Sequence, residues 1–389
     1  MTAGAVPPAD AADVRMVAAA PQVRAPAGLR VNLLLAIAGL GVALSGLEVA
    51  ARALLPAPPP WRYPQLRYQA SPGIVFTFVP NQSAFTADQR VMINARGLRG
   101  GVIPYARSTP GLRLLFLGDS IVFGYGVEES ATVAARVAAR LREAVGPTEA
   151  INAGVPAYNT EQEVIYLERE GLRYHPDWVI VGVCWNDIND KSDVRVSPEG
   201  WLVASDGDAA PSFGGWAESG VAYTLRNGLK RSRLAYAALQ GARAAVAAVR
   251  PDSATWLRSD VLEGRETPRV AQGWQRVGAA LHRLSTLAAE QGFRPLLVAF
   301  PIPLAIERSF PLSSYPARLR TLAEREGMPM LDLHDAFRAA YRGHDSIFIP
   351  YDGDHPNAVG HAVAAREIVN FLTAHGATRA AVPGAPPSG

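Results

Sequence analysis

A chain of 389 residues with one cysteine, Cys184, has no internal disulfide framework and no zinc site built on several thiolates. A single cysteine suits the cytoplasm and an oxidising compartment equally. Charge of one sign is also scarce. Lys and Arg number 38 against 35 Asp and Glu, for a net charge of +3. No basic block is long enough to track a nucleic-acid backbone, which sets nucleic acid aside as a partner. Internal repeats are lacking, so a solenoid or propeller is not expected. At 49% hydrophobic and 19% charged the composition is that of a globular chain. The length suits one large domain or two ordinary ones. Nothing in the sequence sets the oligomeric state.

What the chain has in excess is apolar residues, gathered near the N-terminus. Val31 to Leu47 carries no charge and is bounded by Arg30 and Glu48. The apolar character continues to Leu55, broken by Glu48 and Arg52, which stand four apart and can pair on one helix face. A spanning helix needs about 20 mostly apolar residues. Residues 31–55 are therefore read as a single-pass transmembrane helix, the chain's contact with a membrane. A cleaved signal and a buried core helix are the rival readings. A signal has a short basic start, whereas about 30 residues precede this run. A core helix shows a polar face, and here only Asn32 and Ser45 are polar. Arg15, Arg24 and Arg30 lie before the run and Arg52, Arg62 and Arg67 after it, so charge orients it weakly. The long remainder behind an N-terminal anchor favours the inner membrane with the rest outside the cytoplasm.

Residues 1–30 are Ala- and Pro-rich and read as a flexible tail, and 376–389 as a disordered one. Residues 56–111 read as a Pro-rich linker and a small irregular region, with β-prone pieces at Ile74 to Val79 and Arg90 to Asn94. From 112 to 375 short apolar runs alternate with helical spacings. Strands are expected at Leu112 to Leu117, Thr148 to Asn152, Trp178 to Cys184, Pro295 to Phe300 and Met328 to Leu333. Helices are expected at Ser130 to Val145, Thr160 to Tyr174, Thr267 to Gln291, Ala317 to Gly327 and Asn357 to His375. Such alternation builds an α/β fold, a parallel sheet covered on both faces. Ligands then bind beyond the C-terminal ends of the strands. Residues 188–265 break the rhythm as an insertion holding Trp201, Trp216 and a helical, Arg-rich stretch from Val221 to Arg250. So long a connection is either a lid over the site or a solvated decoration.

The first strand of that pattern ends in Gly118-Asp119-Ser120. A serine at a strand-to-helix turn stands at the lip of the sheet, where its own N–H can face an anion. The same tripeptide is also common in turns. Serine needs a base. Asp352-Gly353-Asp354-His355-Pro356-Asn357 precedes the last expected helix, and Asp352 can hold the His355 imidazole while its other nitrogen faces Ser120. The segment also reads as an Asp-rich cap of that helix, which leaves His355 unexplained. A metal reading of Asp352, Asp354, His355 and His361 lacks any recognisable ligand spacing. Acyl transfer further needs oxyanion donors. Gly154 follows the second strand and Asn186 the third, although both residue types are common in loops. Cys184 is a rival nucleophile, but inside an apolar strand it reads as inert.

Gly118-Asp119-Ser120, Gly154, Asn186-Asp187 and Asp352-x-x-His355, in that order, resemble the four blocks of the SGNH/GDSL hydrolase family. The resemblance covers about residues 112–375. Upstream, Asn94-Ala95-Arg96-Gly97-Leu98-Arg99-Gly100 is similar to a segment of membrane-anchored bacterial members, with Leu98 where Phe is usual. The family implies a three-layer α/β/α, flavodoxin-like sandwich. It implies Ser120 as nucleophile, His355 as base, Asp352 as orienter, and Ser120, Gly154 and Asn186 as the oxyanion hole. No metal or cofactor is implied. The expected activity is a serine esterase acting on a carboxylic ester, with O-acetyl groups of envelope or exported polysaccharide as the substrate class. The alternatives are O-acyl transfer to a glycan through the same residues, and a non-catalytic binding or assembly protein on the same fold. The anchor carries its own test. High salt should leave the protein in the membrane fraction, and complete release by salt alone would overturn the anchor.

Overall fold

The computed structural model describes residues 27–55, 64–107, 110–189, 194–204, 232–249, 253–308, 315–350 and 352–377. The expected tails and proline spacer therefore fall largely outside the described residues, as does Trp216. The chain divides into two units, residues 1–55 and 56–389.

The first unit is helix α1, Ala27–Leu54. Its segment Val31–Leu54 has a mean hydropathy of 2.1, long and apolar enough to cross a membrane. Large side chains such as Leu34 and Val42 are exposed along it. Glu48 and Arg52 pair at 2.8 Å, as their spacing suggested.

In the second unit, two antiparallel hairpins come first. Strand β1 (Tyr68–Ser71) pairs with β2 (Val75–Phe78), and β3 (Gln82–Thr86) with β4 (Gln89–Ile93). This corrects the reading of the stretch as irregular. Each strand has only four or five residues, but β2, β3 and β4 do alternate in burial. Phe76, Phe78, Val91 and Ile93 point into the core shared with the main sheet.

That sheet holds β5 (Leu112–Gly118), β6 (Thr148–Asn152), β7 (Trp178–Val183), β10 (Arg294–Ala299) and β11 (Met330–Asp332), all parallel, in spatial order β11-β10-β7-β5-β6. Strands β8 (Val194–Val196) and β9 (Leu202–Ala204) form a separate hairpin. The helices in chain order are α2 (Ser120–Phe123), α3 (Val133–Val145), α4 (Thr160–Arg169), α5 (Arg233–Val249), α6 (Ser253–Glu263), α7 (Pro268–Gln291), α8 (Pro303–Glu307), α9 (Tyr315–Arg325), α10 (His334–Ala340), α11 (His344–Ile347) and α12 (Ala358–Ala374). Helix α3 packs on α12 and α4 on α7, which gives the expected three layers. Strands β5 and β7 are buried almost throughout because helices cover both faces. The chain winds one way from β5 to β6 and the other way from β7 onward. The switch point therefore lies between the C-terminal ends of β5 and β7, where such sheets hold ligands.

The Asn94–Gly100 segment explains how the serine turn is held. Asn94 Oδ1 accepts from the Arg96 and Leu98 N–H groups, and Gly97 turns the chain at a φ of +71°. That delivers Arg99 into the core. Its Nη1 donates to the Phe123 and Gly124 carbonyls and its Nη2 to Val127 O, at 2.5–2.7 Å. Burial lowers its guanidinium to about 10, so it stays charged at neutral pH. These carbonyls close the helical turn that begins at Ser120. Arg99→Ala would leave Val127 O without its donor, and Phe123 O and Gly124 O with only the Asn152 amide and the Val127 N–H, at about 2 kcal/mol. A loss of that size should appear in urea denaturation, and unchanged stability would refute the clamp.

Candidate active site

Strand β5 ends at Gly118, and Asp119 caps α2 through its Oδ1, which accepts from Ile121 N–H at 2.8 Å. Ser120 is thereby the first residue of the helix. Its backbone N–H makes no hydrogen bond within the described residues. From the far end of the chain, His355 Nε2 lies 2.8 Å from Ser120 Oγ. His355 Nδ1 lies 2.8 Å from Asp352 Oδ1. That same oxygen also accepts from the Asp354 and His355 backbone N–H groups, both at 2.8 Å. With the Nδ1 proton directed to Asp352, Nε2 is free to accept from the serine hydroxyl.

The charges agree with this arrangement. Burial alone would push the His355 imidazole down, but the hydrogen bond and charge of Asp352, with Asp119 and Asp354 behind, raise it above its ordinary value. Burial works against the Asp352 carboxylate as well, and its bonds from His355 and the loop N–H groups still hold it low.

Asn186 lies in the 3₁₀ turn after β7 and donates from Nδ2 to Asp119 Oδ2 at 3.0 Å. The second N–H of that amide remains for a ligand. Gly154 differs from expectation. Its N–H donates to Asn152 Oδ1 at 3.1 Å, so it is not a free donor. Its lack of a side chain serves packing instead, since a Cβ there would stand 2.3 Å from Phe123 N. Further along the same loop, Ala157 adopts a left-handed φ of +72° and its N–H makes no hydrogen bond within the described residues. Two residues earlier, Val155 N–H bonds Gly118 O at 2.9 Å, next to the serine turn.

The rival readings fare differently. Asn357, not Asp354, caps α12, accepting from Val359 and Gly360 N–H. The donor set Asp352, Asp354, His355 and His361 is not assembled. His361 is buried with its Nδ1 accepting from Val133 N–H at 3.1 Å. Among the described residues no group of three or more His, Cys, Asp or Glu could hold a metal. Cys184 is buried, and burial pushes its thiol far up, with Asp119, Asp354 and Asp187 adding to this.

Several site neighbours gave no signal in the sequence. Tyr125 stacks on the His355 ring at 4.7 Å between centroids. It follows the serine turn, where Gly126 N–H reaches Thr86 Oγ1 at the β3–β4 tip. Asp187 Oδ2 accepts from Cys184 N–H at 2.6 Å, and its Oδ1 accepts from Thr160 Oγ1 at 2.8 Å. The insertion is not wholly peripheral, because Val261 and Leu262 of α6 are buried and Arg258 reaches Asp354 at 3.5 Å.

The serine thus stands at the switch point of a helix-flanked parallel sheet, where such sheets hold ligands. The chain belongs to the GDSL-like Lipase/Acylhydrolase family, whose profile matches residues 116–363. No curated protein sequence matches it. Among solved structures it is similar to a two-domain esterase (CEX) active on acetylated mannans, at 16% identity and a TM-score of 0.41, over 72% of this chain and 53% of that one. The chain thus spans about half the length of that esterase. It is also similar to a catalytic mutant of Axe2, an acetylxylan esterase from Geobacillus stearothermophilus, at 14% identity and a TM-score of 0.39, over 70% of this chain and 99% of that one. These likenesses are of fold alone.

Gly154→Ala tests the packing. Its Cβ would push the Phe123 backbone, and a displacement of about 1 Å at the serine turn should lower kcat roughly 100-fold. Gly101→Ala, with nothing within 4 Å of the added carbon, is the control and should keep full rate. Equal rates in both variants would sink the argument.

Proposed function

We propose that this protein is a membrane-anchored serine esterase that removes acyl groups, O-acetyl above all, from envelope or exported polysaccharide outside the cytoplasm. The continuous chain from Ser120 Oγ through the imidazole to Asp352, 2.8 Å at each step, carries the reading. Ser120 Oγ attacks the ester carbonyl as His355 Nε2 takes its proton. Asp352 holds the tautomer and stabilises the imidazolium that forms. The oxyanion is met by the Ser120 N–H and the free N–H of Asn186, and we place the unpaired Ala157 N–H in the position expected of Gly154. His355 then protonates the leaving alcohol. An acyl-Ser120 ester remains, which water cleaves by the same route in reverse. The apolar helix Val31–Leu54 supports the anchor, the long chain behind it supports the outward-facing location, and that location supports the glycan substrate.

A serine-directed organophosphonate should label the wild type and not Ser120→Ala. Asp352→Asn should lower kcat on the order of 10⁴-fold. Because the base acts as neutral imidazole, kcat/KM should rise with pH through an acid limb lying above 6.5, the ordinary histidine value. Equal weak labelling of wild type and Ser120→Ala would end the esterase reading. Across an acyl series of aryl esters run beside acetylated polysaccharide, acetyl should be preferred and free acetate released. Release only in the presence of a sugar acceptor would favour acyl transfer.

A further inference from the structure

Two aspartates flank the base, yet only Asp352 bonds it. Asp354 Oδ1 accepts instead from Trp185 Nε1 at 3.1 Å and faces Arg258 Nη1 at 3.5 Å. The same guanidinium lies 5.2 Å from the centroid of the Trp185 ring. A Cβ added to Gly353 would come within 3.3 Å of Arg258 Nη1, so the arginine lies across the backbone of the base loop. Arg258 belongs to α6, within the connection between β7 and α7. Trp185 immediately precedes Asn186. One cation thus joins the inserted helix, the loop carrying the base and the turn carrying an oxyanion donor.

We propose that Arg258 is a positioning residue that holds Asp354 away from the imidazole and shields its charge, leaving Asp352 alone to orient His355. This rests on the Ser120–His355–Asp352 reading above. The groups facing His355 are Asp352 and Asp354 of its own loop, Asp119 beyond β5, Tyr125 on its ring face and His361 of α12. The nearby carboxylates all favour the imidazolium, and a cation on one of them offsets that bias. Removing Arg258 leaves Asp354 unshielded, so His355 holds its proton to higher pH. A base that must be neutral then becomes competent later on the pH scale.

The test is kcat/KM against pH with an aryl acetate, for the wild type, Arg258→Ala, Arg258→Lys, Asp354→Asn and the double variant Arg258→Ala/Asp354→Asn. Arg258→Ala should move the acid limb upward by about half a pH unit, a modest shift because the arginine is one-third exposed. Arg258→Lys should restore the limb. Asp354→Asn should move it down, and adding Arg258→Ala to that variant should shift it no further. A uniform loss of rate at every pH, or the same upward shift with Asp354 already neutral, would overturn the proposal. If Arg258→Ala fails to fold, Asp354→Asn still decides, since an unmoved limb there refutes the charge argument. Ser120→Ala separates the two readings. Turnover surviving in it defeats the triad, whereas a dead Ser120→Ala with an unmoved limb in Arg258→Ala defeats only the role of Arg258.

Discussion

The site depends on one buried carboxylate. Asp119 is 2% exposed and each of its oxygens has a separate task. Oδ1 caps the turn that presents Ser120, and Oδ2 fixes the Asn186 amide in a turn 67 residues away in sequence. The serine turn and the Asn186 amide are therefore registered to each other through one side chain rather than through two independent loops. The arrangement has an electrostatic cost. Glu163 and Asp187 lie close by, and three anions cannot be buried together without water. Burial, with the charges of Asp187 and Asp119, pushes the Glu163 carboxyl far up. Asp119 and Asp187 keep hydrogen bonds from N–H and O–H donors, whereas no hydrogen bond reaches the Glu163 carboxyl among the described residues. Arg99 completes the frame from beneath by gathering the carbonyls of the same turn.

The sheet was legible in the sequence because a strand covered on both faces must be apolar at every position. Trp178 to Cys184 shows that throughout, and Leu112 to Leu117 does so at every position but Arg113, whose buried guanidinium is held by Glu149 and the Tyr105 and Tyr174 carbonyls. Ser120, His355 and Asp352 were legible for a different reason: serine, imidazole and carboxylate at strand ends are residue types with few other uses in combination. What escaped depends on contacts that spacing does not encode. Tyr125 reads as an ordinary loop aromatic until the C-terminal loop folds over it. Arg258 sits in an insertion with no strong pattern. For Gly154 the residue type was informative but its purpose was not, since a glycine marks a close approach without saying what approaches. Here the neighbour is the Val122–Phe123 backbone. The N-terminal hairpins were half visible, as the alternation in Phe76 and Phe78 spans too few residues to outweigh the surrounding noise.

His355 and His361 show how far environment, rather than residue type, assigns roles. They are six positions apart, His361 buried and His355 half-buried, and both belong to the segment that closes the fold. Carboxylates surround His355, so its protonated form is favoured. His361 meets the opposite field. Burial with Arg99, Arg136 and His355 nearby drives it down to about 3. Permanently neutral, it can do what a charged imidazole cannot, which is to accept the Val133 N–H at the start of α3. That helix packs on α12, the helix that carries His361 and follows the base loop. His361 thus fastens the segment whose placement brings His355 to Ser120. A chain with a single histidine in this region would have to choose between holding the loop and transferring the proton, because one ring cannot be both permanently neutral and readily protonated.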